Sequence, residues 1–352
     1  MKIWFEALTG KQALLFHYLG EKLEERGNSV LFTARNYDYV LGNLKRLGRS
    51  VHSFGKYGGA SLYQKLISGS ERIIKLAELI NGIKPDLLIS FSSPDATRVA
   101  FGLGIKTILL NDTPHATAAA RLTMALSSAL VHPEAIDSSV FQSFGAQKFF
   151  PFDGVDETLW TSKSNFDNTV LEQLSLSKDD YIVVRCEESK AAYFQDMYPG
   201  IEPGSTIIPE ILHKLREEAI DLPIVAFPRY EEQTRELQKL EGVIVPDTSV
   251  DTMALLHKSK VNMTGGGTMG REGALLGTPT IYSFPRQLEV STYVMEKGFP
   301  LVHCPNHLEV TESIIESLSK KRLEEGRRKE MISMMETPYD GITRALDNLE
   351  EL

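Results

Sequence analysis

SKVNMTGGGTMGREGALLGTP, residues 259–279, decides how this chain is read. A short apolar run ends at Thr264, three glycines follow at Gly265, Gly266 and Gly267, and a helix-forming stretch then runs to Gly277. The order strand, glycine loop, helix has a direct physical meaning. Glycines let the backbone approach a ligand closely, and the start of the helix adds a positive dipole end, which suits a diphosphate. Gly265, Gly266, Gly267, Thr268 and Met269 are the candidate binding positions. Glu272, one to two turns into the helix, is placed to accept hydrogen bonds from both hydroxyls of a ribose whose phosphates face the glycines. The plain alternative is a tight turn with Glu272 at the surface. A second functional alternative is a dinucleotide loop: Gly265, Gly267 and Gly270 satisfy G-x-G-x-x-G, and Glu289 lies 19 residues beyond Gly270. The chain after Gly265 has room for only about two more strands, so a dinucleotide half-fold built there is incomplete.

Outward from that loop, short apolar runs alternate with amphipathic stretches in both directions, the pattern of parallel sheets covered by helices. Strands are expected at residues 3–8, 30–33, 51–54, 86–91, 107–110, 129–131 and 148–150, then at 181–184, 223–227, 243–245, 260–263, 278–283 and 300–302. Residues 12–26 and 61–80 read as helices. Residues 309–335 read as a charged, solvated helix. The stretch 151–164, rich in Asp, Ser and Thr, is the expected linker. The fold class is therefore α/β: two Rossmann-like domains, residues 1–155 and 156–337, with parallel sheets facing across a cleft. Residues 338–352 are a C-terminal segment expected to pack back on the first domain.

The chain's 352 residues suit two domains, and its composition, 42% hydrophobic and 24% charged, is that of a globular protein. A net charge of -9 argues against nucleic acid as a partner. Two cysteines, Cys186 and Cys304, cannot build a zinc site alone and suit a reducing compartment. The N-terminus lacks the pattern of a signal peptide, and no apolar run approaches the roughly 20 residues needed to span a bilayer. The expected location is cytoplasmic, with peripheral membrane contact left open.

Ligands of open parallel sheets bind beyond the carboxyl ends of strands, so the loops there hold the remaining candidates. Asp112 and His115 follow a buried strand and are read as a general base with an orienting partner, against the alternative of a turn and helix cap. Arg185 and Arg229 end adjacent strands and suit a diphosphate clamp, against structural pairing with Glu187 or Glu231. Ser92, Ser93 and Asp95 read as a helix cap. Lys11, in the first loop, is a candidate for a phosphate. The remaining histidines show no metal-ligand spacing, and no metal is expected.

The run from Gly265 to Pro279 resembles the nucleotide-sugar loop of GT-B glycosyltransferases, notably the bacterial lipid-I N-acetylglucosaminyltransferase, and a similar loop occurs in UDP-N-acetylglucosamine 2-epimerase. The resemblance implies a GT-B-like fold and a ribose contact at Glu272. It also implies sugar contacts near Glu289, Ser291 and Thr292, which are not the glutamines of that family. A closer resemblance rests on SFSSPDATRVAFGLGIKTILLNDTPHA (residues 90–116), VVR (183–185), PRYEEQ (228–233) and TGGGTMGREGALLGTP. On these motifs the chain is identified as a member of the largely archaeal family catalogued as domain of unknown function 354. Members often carry histidines after the first strand, where this chain has Thr9, Gly10, Lys11 and Gln12. Together these resemblances imply a nucleotide-sugar-dependent glycosyltransferase, inverting and metal-independent. Its donor is UDP-linked and is a substrate rather than a cofactor, and a lipid-linked or glycan acceptor is left open. The alternatives are a nucleotide-sugar 2-epimerase or hydrolase, and a non-catalytic nucleotide-sugar-binding protein.

Overall fold

The structure is a computed structural model that describes residues 1–37, 39–56, 61–163, 166, 168–190, 200–247 and 249–348. The chain divides into two compact units, residues 1–160 with 335–352, and residues 161–334.

Unit 1 carries β1 (Lys2–Ala7), α1 (Gly10–Glu25), β2 (Ser29–Asn36), α2 (Val40–Arg46), β3 (His52–Lys56), α3 (Leu62–Ile83), β4 (Leu87–Ser90), α4 (Pro94–Gly102) and β5 (Lys106–Leu110). It continues through α5 (Thr117–Thr123), β6 (Ala129–Pro133), α6 (Ser138–Gln142), β7 (Phe149–Phe152) and α7 (Thr158–Thr161), whose last residue falls in unit 2. All pairings are parallel, in the order β3-β2-β1-β4-β5-β6-β7. β1, β4, β5 and β6 are almost wholly buried and mostly apolar, as strands covered on both faces by helices are. The order reverses between β1 and β4, so the loops after these two strands flank the switch point where parallel sheets open a crevice.

Unit 2 repeats the plan with α8 (Thr169–Gln173), β8 (Ile182–Arg185), α9 (Ile208–Glu217), β9 (Ile224–Phe227), α10 (Glu231–Leu237), β10 (Val243–Ile244) and α11 (Thr252–Lys258). β11 (Val261–Thr264), α12 (Gly267–Leu275), β12 (Thr280–Tyr282), α13 (Glu289–Glu296), β13 (Leu301–His303), α14 (Val310–Leu318) and α15 (Glu325–Ser333) complete it. The parallel order β10-β9-β8-β11-β12-β13 reverses between β8 and β11, so the glycine loop that follows β11 lies at this unit's switch point. Gly277 closes α12 with positive φ: Thr278 N donates to Gly273 O at 3.1 Å and Gly277 N to Ala274 O at 2.8 Å, a Schellman closure.

Two segments differ from the sequence expectation. Residues 309–335 are not one solvated helix but α14 and α15 with a break at 319–324, and Val310, Ile314, Arg328, Met331 and Ile332 are buried. The charged residues concealed an apolar stripe on each helix. The boundary between the units, at 160/161, falls inside the stretch 151–164 expected as the linker, but that stretch is packed rather than exposed: residues 154–161 are buried. They are covered from residue 336, where Glu336 N donates to Asp153 O at 2.8 Å and a Cβ on Gly154 would meet Glu336 O. From there α16 (Pro338–Asp347), opened by a Thr337–Asp340 capping box, packs on β6 and β7.

Candidate functional site

The glycine loop of unit 2 is built by close packing. Gly265 N donates to Arg185 O at 3.0 Å, and a Cβ on Gly265 would lie 2.5 Å from Glu187 Cα. None of Gly265, Gly266 and Gly267 is among the positive-φ residues, so these glycines serve close approach rather than left-handed backbone. Thr264 Oγ1 folds over the turn, donating to Gly266 O at 2.9 Å and accepting from Gly266 N at 3.1 Å. Gly266 is the N-cap of α12 and brings no capping side chain. The N-cap residue therefore adds no side chain of its own between the first-turn N–H groups, with the helix dipole, and a ligand.

Guanidinium groups flank this helix start. Arg229 Nε donates to Cys186 O at 2.9 Å, and its Nη2 lies 3.1 Å from the Cβ position of Gly266. Arg185 is buried at the end of β8 and donates to Pro228 O at 3.1 Å. The expected arginine pair is thus steadied by backbone carbonyls. Gln233 orders the same turn, accepting from Arg229 N at 2.8 Å and donating to Ser205 O at 3.0 Å. Glu187 accepts from the Thr206 hydroxyl at 2.9 Å.

Arg271 was not singled out by the sequence reading. It is buried, its Nη1 donates to Ser291 Oγ at 3.3 Å, and that nitrogen lies 2.7 Å from the Cβ position of Gly267. The only sequence signal was a charged residue four positions beyond Gly267 on the same helix. Glu272 is inside α12 and only 4% exposed, so it is not the surface residue of the plain alternative. Thr268 and Met269 are half-buried in the first turn, and Glu289 is exposed at the start of α13. Cys186, beside the arginines, is an inert thiol, pushed up to about 12 by burial.

In unit 1 the candidates split. Asp112 is buried and His115 exposed. Lys11, read as a phosphate contact, is engaged by carboxylates: its Nζ lies 2.6 Å from Asp112 Oδ2, 2.7 Å from Asp156 Oδ2 and 3.9 Å from Glu157 Oε1, over the Phe91 ring. Loops after β1, β4, β5 and β7 meet at this one ammonium group. Burial pushes the Asp156 carboxyl up to about 6, with Lys11 opposing and Asp112 and Glu157 reinforcing the rise. Asp156 and Glu157 were hidden in the expected linker; an acidic pair after a strand end was the available signal. Ser93 caps α4 through Ala96 N at 3.4 Å as expected. Ser92, at φ 50, accepts from Asn111 Nδ2 at 2.9 Å, while Asp95 accepts from Arg72 at 2.6 Å.

Two parallel, helix-covered sheets of this kind define a GT-B-like α/β protein. The chain belongs to the family described as protein of unknown function (DUF354), whose model matches residues 1–348. An uncharacterized protein of Methanocaldococcus jannaschii is 32% identical over 330 residues, covering 91% of this chain and 93% of its own length. Among solved structures, the UDP-GlcNAc 2-epimerase of the same organism, in complex with UDP-GlcNAc and UDP, is similar with a TM-score of 0.71 at 17% identity over 99% of both chains. The spinosyn rhamnosyltransferase SpnG is similar with a TM-score of 0.59 at 14% identity, over 99% of this chain and 100% of its own.

Proposed function

We propose that this protein is a nucleotide-sugar-dependent GT-B glycosyltransferase that holds its donor on unit 2 and its acceptor on unit 1. The carrying observation is the uncapped start of α12 at Gly266, with Arg229 and Arg271 beside Gly266 and Gly267. Two guanidinium groups beside the positive end of a helix make a field that suits a diphosphate. Glu272, less than two turns inside the helix, takes the ribose hydroxyls. The leaving diphosphate is stabilised by backbone N–H groups and guanidinium groups rather than by a metal ion. Asp112 is the acceptor's general base, with Lys11 setting its orientation. The similarity to an epimerase solved with UDP-GlcNAc and UDP supports UDP as the nucleotide.

A second reading, 2-epimerisation or hydrolysis of the nucleotide-sugar, is favoured by the Lys11–Asp112–Asp156–Glu157 cluster, which supplies acid and base groups without an acceptor. Calorimetry with UDP-, GDP-, CDP- and dTDP-sugars, followed by product analysis, tests both. A sugar moved to an acceptor supports the transferase, an isomerised or hydrolysed sugar supports the second reading, and no binding by any nucleotide-sugar overturns both.

A further inference from the structure

The turn between β12 and α13, residues 283–288 with the sequence SFPRQL, closes over the start of α12. A Cβ on Gly267 would lie 2.7 Å from Leu288 Cδ1 and 2.7 Å from Arg271 Nη1, so the last side chain of the turn and the guanidinium group crowd the same small space. The first turn of α13 also holds that guanidinium group, which donates to Ser291 Oγ at 3.3 Å. Both ends of the turn are pinned. Ser283 N donates to Thr264 O at 2.9 Å, which ties the entry to β11 beside the glycine loop. Leu288 O accepts from Ser291 N and Thr292 N, both at 2.9 Å, and Gln287 Nε2 donates to Thr292 Oγ1 at 2.9 Å.

In the middle of the turn Pro285 has no N–H to give, and Arg286 and Gln287 are exposed. His303, the last residue of β13, reaches this middle: its Nε2 donates to Phe284 O at 2.7 Å. A carbonyl oxygen only accepts, so Nε2 carries the hydrogen whether the ring is neutral or charged. Tyr282 braces the ring, stacked with 4.4 Å between centroids and 18° between planes. Tyr282 is itself backed by α12, where a Cβ on Gly270 would lie 3.1 Å from Tyr282 Cβ. The pairing of β12 with β13 runs through backbone, so the His303 side chain is spent on the turn and not on the sheet. The held turn then sets Leu288 against Gly267 and Ser291 against Arg271, which fixes where the guanidinium group stands.

We infer that His303 is a positioning residue for the diphosphate. By holding the turn at Phe284 it keeps Arg271 against the start of α12, where the second phosphate of a nucleoside diphosphate lies. The inference rests on the nucleotide-sugar reading and names the part of unit 2 that tells a diphosphate from a monophosphate. The full chain is titrated with UDP and with UMP in a calorimeter, and the wild type is expected to bind UDP about tenfold or more tighter. His303→Phe keeps a ring over Tyr282 and removes the donor; UDP affinity should fall about tenfold with UMP affinity unchanged. His303→Gln places an amide N–H near the position of Nε2 and should restore most of the preference for UDP. Ser291→Ala leaves His303 and the turn in place and should cut that preference about threefold or more, which decides the matter if the phenylalanine variant does not fold. A wild-type preference in His303→Phe or Ser291→Ala overturns the inference, as do equal losses for UDP and UMP or a glutamine variant that behaves like phenylalanine. A wild type that does not bind UDP, or binds it no better than UMP, overturns the diphosphate reading itself and this inference with it.

Discussion

Asp156→Asn isolates a buried charge at the carboxyl edge of the unit 1 sheet. The wild-type carboxyl titrates at 3.8 when unfolded and near 6 when folded, because burial penalises its ionised form. Sign follows from proton binding: between those values the folded state holds the extra proton, so folding is favoured at low pH and loses stability as pH rises. At about 1.4 kcal/mol per pH unit, the gap of roughly two units costs unit 1 about 3 kcal/mol, complete above about pH 6 and absent below pH 4. Asparagine keeps the shape and cannot ionise, and Lys11 retains Asp112 at 2.6 Å. The variant should match the wild type near pH 4 and exceed its stability by up to about 3 kcal/mol at pH 7.5. Both tryptophans, Trp4 and Trp160, are buried in unit 1, so tryptophan fluorescence during urea unfolding reports that unit alone. A difference between variant and wild type that stays constant from pH 4 to 7.5 refutes this account of the cluster.

Glu272→Ala should weaken nucleotide binding by about 1–3 kcal/mol in calorimetry, the worth of charged hydrogen bonds to two ribose hydroxyls; unchanged affinity, or tight NAD binding, removes the assignment. Asp112→Asn and His115→Ala separate catalysis from structure: loss of a general base costs about 10²–10⁴-fold in turnover with donor affinity intact, whereas a turn or cap role lowers the melting temperature and spares turnover per folded molecule. Gly265→Ala drives a methyl group to 2.5 Å from Glu187 Cα, so unit 2 should lose about 1–3 kcal/mol in thermal unfolding followed by circular dichroism. A wild-type melting temperature there would mean that the loop is looser than its packing implies.

The alternating apolar runs carried the fold. All thirteen expected strands are present; the central ones are legible because strands buried on both faces read as apolar runs, whereas β3, HSFGK, is largely exposed and gave the weakest signal. The strand–glycine–helix order likewise placed the loop at residues 265–267 and put Glu272 within the following helix, since both properties are local. Strand order is not local. It was the pairing of β8 with β11 that set Arg185 and Glu187 against Gly265, and the return of the chain at Glu336 that buried residues expected to be a linker. Lys11 is the plainest case: in sequence it is a lysine after a strand, ready for a phosphate, and Asp112 and Asp156 lie 101 and 145 residues away. Only the folded sheet, by bringing the carboxyl ends of β1, β5 and β7 to one edge, surrounds that ammonium with carboxylates, because charge pairing acts through space and leaves no period in the chain.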